Sequence, residues 1–172
     1  MFAGGVCFYV LLGAAGLVWM AMRDRLSALP DLAIGEHGPW LASLVGLGAG
    51  LLLALSCGQL ARHSREMRAA DVLLRRTFVG MGESATLTLV LLGAVAEELF
   101  LRMAVQDASG LLGSVATFTL VSMALGRPRL VLLALLHATM LGTIVQLGFG
   151  LLGSTTANAI MNHLNLRRLS CR

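Results

Sequence analysis

The chain has 172 residues, of which 57% are hydrophobic and 13% charged, and its mean hydropathy is +0.82. Soluble domains carry about 25% charged residues, so the supply is too small to cover a water-facing globule and the chain is too apolar for intrinsic disorder. The formal charge of +4 comes from arginine alone, with no lysine and nine acids. Aromatics are 5%, and the arginines stand between long apolar runs. That distribution marks the loops of a membrane protein and not a nucleic-acid footprint.

A membrane-spanning helix needs about 20 mostly apolar residues, because the bilayer core has no water to satisfy the backbone. In chain order the runs are 2–22, 39–60 after Pro39, about 85–101, about 109–125, 130–153 and 155–166. The last is short and polar, which predicts a helix packed inside the bundle. Segment 2–22 lacks a basic n-region and reads as a retained helix and not a signal peptide. Residues 61–80 alternate Arg, Leu and Ala as a short interfacial amphipathic helix does. Gly46 and Gly50 form a GxxxG pair suited to close helix contact. The predicted fold is all-α: a polytopic membrane helix bundle of about six transmembrane helices, with two N-terminal helices over 1–60 and a core over 61–172.

Six spans put both termini on one side. With the N-terminus inside, ten arginines lie in inner segments and three, Arg23, Arg25 and Arg102, outside. The positive-inside rule then predicts an integral protein of the plasma (inner) membrane with both ends in the cytoplasm. Cys7 and Cys57 sit in apolar runs and Cys171 is next to last, an odd count without CxxC, so neither a disulfide framework nor a zinc cage is indicated.

The informative stretch is Ala96-Glu97-Glu98-Leu99-Phe100-Leu101-Arg102. Placing a carboxylate at membrane depth costs about 2.5–3.5 kcal/mol on insertion scales, so two in succession call for a reason. Glu98 and Arg102 are four apart, share a helix face and can pair. Glu97 is rotated about 100° from Glu98, which leaves it free to face a polar cavity and to act as a general base on water.

Glu-Glu-x-x-x-Arg at the end of an apolar span, after an arginine-rich interfacial stretch, resembles the CPBP (CAAX protease and bacteriocin-processing) intramembrane proteases over roughly residues 60–169. The resemblance implies a bundle around a polar chamber. There the first glutamate activates water, one histidine assists it, and a second histidine with an asparagine stabilises the oxyanion. It leaves both zinc and metal-free glutamic chemistry open, and there is no H-E-x-x-H. The substrate it implies is a membrane-anchored or C-terminally processed protein.

The family's remaining motifs, Phe-x-x-x-His and His-x-x-x-Asn, admit two registers. One uses His137 and His163, but Leu133 and Arg167 stand where Phe and Asn are expected. The other uses Phe118 to Ser122 and Asn158 to Asn162, which keeps both flanks while Ser122 and Asn158 replace the histidines. The second fits the spacing better, and the ending Asn165-Leu166-Arg167-Arg168-Leu169 resembles the myxosortase-like subgroup. On this reading Glu97, Glu98 and Arg102 are the catalytic group, Asn158 and Asn162 an amide lining for an oxyanion, and His137 a candidate helper. Asn165, three residues beyond Asn162, extends the same amide stripe. Two alternatives stand beside the protease: a degenerate, substrate-binding relative, motivated by Ser122 and Asn158, and a small proton-relay transporter subunit.

Overall fold

The computed structural model describes residues 2–78, 80–123 and 128–170, most of them helical and none in a strand. The helices are α1 (Phe2–Met22), α2 (Leu29–Ile34), α3 (Gly38–His63), α4 (Arg65–Phe78), α5 (Glu83–Glu98), α6 (Asp107–Met123), α7 (Pro128–Ile144) and α8 (Gly150–Ser170). Wide π-type turns carry α5 onward over Leu99–Gln106 and α7 onward over Val145–Phe149. Among the described residues four helical stretches are long and apolar enough to cross a membrane: Phe2–Met22, Gly38–His63, Glu83–Met123 and Val131–Arg168. The last two are each broken by glycine. Gly110 has φ +73° inside one, and Gly148 and Gly150, at φ +82° and +63°, break the other. An L side chain resists these angles, so each glycine ends one rod and starts the next.

Two sequence-based boundaries change. The last helix begins at Gly150 and runs 21 residues, and is not the short 155–166 piece expected. Its polar residues are compatible with that length because Ser154 and Asn158 are buried against neighbouring helices. Arg102 is also not the end of a span facing an outer loop. The helix continues through it, and its side chain is 2% exposed. Glu98 supplies the counter-charge that lets this happen, and Arg102 drops out of the loop arginines counted for orientation. The tail of the fourth run and its closing Gly126-Arg127 lie outside the described residues.

Small residues set the helix contacts. On α3, a Cβ at Gly50 would stand 2.6 Å from the Ala157 carbonyl oxygen and 2.9 Å from the Ile160 Cβ, and Gly46 lies on the Gly153 backbone in the same way. The GxxxG pair therefore brings α3 onto α8. Along α1, Gly5 meets Leu89, Tyr9 lies over Gly93, Gly13 meets Ala96 and Gly16 meets Phe100. Met20 then joins Met103 in a buried cluster. Contacts rise in the same order on both helices, so α1 and α5 run parallel; the same holds for α3 and α8.

Polar ties hold the ends. Asp107 accepts hydrogen bonds from Arg23 at 2.9 Å and from Arg25 at 2.8 Å, tying the segment after α1 to the start of α6. At the other end Arg168 bonds both oxygens of Asp71 at 3.0 Å, which docks amphipathic α4 onto α8. Ser64 caps α4 by accepting the Met67 N–H at 3.3 Å, as an N-terminal serine does.

Candidate functional site

The acidic pair stands at the end of α5, where helix geometry divides it. Leu87, Leu91 and Val95 are exposed and mark the outward face. Glu97 follows Val95 by two residues, about 200° round the helix, so its side chain is directed into the bundle. Glu98 is 1% exposed. Its Oε2 accepts from Arg102 Nε at 3.1 Å, the i,i+4 pair expected from spacing.

The pair is fully enclosed, and its enclosure is polar. Arg102 Nη1 donates to Ser114 Oγ at 2.7 Å, and Ser114 in turn donates to the Leu101 carbonyl at 2.9 Å. Gln106, one further turn along, donates to the Gly142 carbonyl at 2.9 Å and tethers the segment to α7. Gly142 makes this approach feasible: a Cβ there would stand 2.9 Å from Gln106 Oε1 and 3.2 Å from Arg102 Nη1. A buried ion pair is tolerable only with its remaining donors and acceptors satisfied, and Ser114 and Gln106 accept from Nη1 of the guanidinium. Gln106 stands four residues after Arg102 and so shares its helix face, and Ser114 is a polar interruption of an apolar run, but neither is among the sequence-based candidates.

From α8, Asn158 reaches both glutamates. Its Nδ2 donates to Glu97 Oε2 at 3.1 Å and to Glu98 Oε1 at 3.4 Å. Its Oδ1 accepts from Asn162 Nδ2 at 2.9 Å. An amide nitrogen has two hydrogens, so both donors of Asn158 are committed to carboxylates while Asn162 keeps a second N–H. Asn165, three residues on, instead stands beside the Cys57 thiol of α3; the amide stripe faces two neighbours.

The structure thus joins Glu97, Glu98, Arg102, Asn158 and Asn162 in one network. It does not join Ser122 to it. Ser122 Oγ donates back to the Phe118 carbonyl at 2.9 Å, between the exposed side chains of Val121 and Met123. His137 packs edge-on against the Phe118 ring, centroids 5.4 Å apart, with Nε2 buried and without a partner among the described residues. Glu97 carries no hydrogen bond from it. No three His, Cys, Asp or Glu side chains converge among the described residues. A catalytic zinc takes three protein ligands, so the donor set among the described residues does not fit that metal.

Glu97 therefore differs from its neighbour in a chemically useful way. It is half-buried, outside the ion pair, held in orientation by one amide at Oε2, and its Oε1 has no partner among the described residues. Comparison of the chain with protein-family models, curated proteins and solved structures returned no match.

Proposed function

We propose that the chain is an intramembrane endopeptidase of the CPBP type, in which Glu97 activates water to cleave a peptide bond near the C-terminus or membrane anchor of a protein substrate. The observation that carries this reading is the position of Glu97: an inward-facing carboxylate, aimed by Asn158, beside a Glu98–Arg102 pair that neutralises itself. A pair that only fixed helix packing would need one glutamate. In the reaction Glu97 takes a proton from water as the water oxygen adds to the scissile carbonyl carbon. The oxyanion so formed meets the remaining N–H of Asn162. Glu97 then passes the proton to the departing amine as the C–N bond breaks.

In this account the bundle has six spans with both termini in the cytoplasm of the inner membrane. The parallel pairing of α1 with α5 and of α3 with α8 supports it, since alternate crossings of six would orient these helices alike. The test is cleavage of a membrane-anchored reporter in proteoliposomes by wild type and by Glu97→Gln. Cleavage lost in the variant is expected; equal cleavage rejects the reading.

A second reading has its own observation. Ser122 is turned to its own helix and Asn158 has both donors committed, which suits a relative that binds a membrane substrate without cutting it. Under that reading the wild type is inert and Ser122→His with Asn158→His gains activity. Proton flux through liposomes, abolished by Glu97→Gln, would instead favour the relay transporter.

A further inference from the structure

The N-terminal helix lies outside the stretch that carries the family resemblance, yet one of its side chains stands at the candidate site. The inner stripe of α1 reads Gly5, Tyr9, Gly13, Gly16 and Met20. Tyr9 is its only aromatic and the only tyrosine in the chain. Its ring end lies over Gly93, where a Cβ would stand 2.8 Å from the ring Cζ and 3.1 Å from the hydroxyl oxygen. Any other residue at 93 would displace the phenol.

Gly93 is one turn before Glu97 on the same face of α5, and helical side chains lean toward the N-terminus of their helix. Glu97 therefore leans back over the turn on which the Tyr9 hydroxyl rests. Among the described residues the hydroxyl has no hydrogen-bond partner of its own. Beside Glu97, Asn158 has both its donors committed to the two carboxylates, and Asn162 keeps one N–H. Tyr9 presents a hydroxyl proton without a fixed acceptor.

We propose that Tyr9 is a catalytic residue supplied by the N-terminal helix, its hydroxyl donating a hydrogen bond to the substrate carbonyl oxygen as that oxygen becomes an oxyanion opposite Glu97. This rests on the proteolytic reading. It gives α1 a chemical part in the site and pairs the phenol with the remaining N–H of Asn162, so that two donors face the developing charge. Each such donor is typically worth about 10²–10³ in kcat.

The test has two arms. In proteoliposomes with a membrane-anchored peptide reporter, Tyr9→Phe keeps the ring over Gly93 and removes only the hydroxyl. It should lower kcat by about 10²–10³ with little change in KM, while Glu97→Gln abolishes cleavage. In the second arm, 13Cζ-tyrosine labelling gives a single NMR signal, which should shift between wild type and Glu97→Gln without any need for turnover. A signal unmoved by Glu97→Gln overturns the proposal. So does a Tyr9→Phe chain that cuts at the wild-type rate while Glu97→Gln is dead, and in that case the protease reading stands. A wild type that leaves the reporter whole overturns the protease reading and the role of Tyr9 together.

Discussion

Arg102→Met is the sharpest test of the buried network. The substitution keeps most of the side-chain volume and removes the cation paired with Glu98, whose carboxylate is 1% exposed and bonded to Arg102 Nε at 3.1 Å. It also removes the 2.7 Å bond from Arg102 to Ser114, although Ser114 keeps its bond to the Leu101 carbonyl. Removing one partner of a buried pair costs about 3–5 kcal/mol, because the other charge is left without compensation. That is roughly a hundredfold or more in the unfolding equilibrium. Replacing both groups, as in Arg102→Met with Glu98→Leu, should recover most of the loss, since an apolar pair of similar volume is often neutral. The assay is reversible unfolding in mixed micelles by added SDS, run as a double-mutant cycle. Glu97→Gln is the control: its amide oxygen still accepts from Asn158, so its cost should stay within about 1 kcal/mol. A loss below about 1 kcal/mol for Arg102→Met, or a double variant as unstable as the summed singles, would refute the assignment of this pair as the buried brace of the site.

Three more outcomes follow from named contacts. Gly50→Val drives a branched side chain into the Ala157 carbonyl and Ile160 Cβ; overpacking of this kind costs about 1–3 kcal/mol, readable as a lower unfolding midpoint, and a neutral result would mean that α3 and α8 are not in close contact. Gly93→Ala places its methyl on the Tyr9 ring and should slow cleavage in the same direction as Tyr9→Phe while leaving Gly13 and Gly16 contacts intact, whereas a variant as fast as wild type would separate the α1 stripe from the chemistry. Asp107 holds the exposed Arg25 guanidinium charged more firmly than usual, so Asp107→Asn should lower thermal stability slightly at low ionic strength and not measurably at about 1 M salt, where the Debye length is about 3 Å; a loss insensitive to salt would argue against an electrostatic tie.

Hydrophobic length alone locates α1 and most of α3, because lipid-facing helices must be apolar almost throughout. The α5–α6 and α7–α8 junctions were harder to read. Apolar residues run across both, and the breaks depend on the backbone angles of Gly110, Gly148 and Gly150, which composition does not encode. Arg102 was misread as a span end because a guanidinium ordinarily stops a span; only its three-dimensional partners explain its burial. Within the site, the local Glu98–Arg102 pair was legible from i,i+4 spacing. Contacts that join distant elements, Ser114 to Arg102, Asn158 to the glutamates and Tyr9 over Gly93, follow from helix packing that no spacing rule predicts. Asn158 and Asn162 were recognised as an amide pair, but the commitment of both Asn158 donors to the carboxylates emerges only from coordinates.

The central claim is that Glu97 turns a water molecule into the nucleophile. Its most direct measurement is reporter cleavage in proteoliposomes prepared in H2-18O, followed by mass spectrometry of the fragments. The account predicts one heavy oxygen in the new C-terminal carboxylate with the wild-type chain, and an intact reporter with Glu97→Gln. A wild-type chain that leaves the reporter uncut, or a Glu97→Gln chain that releases the same labelled fragment at the same rate, contradicts it.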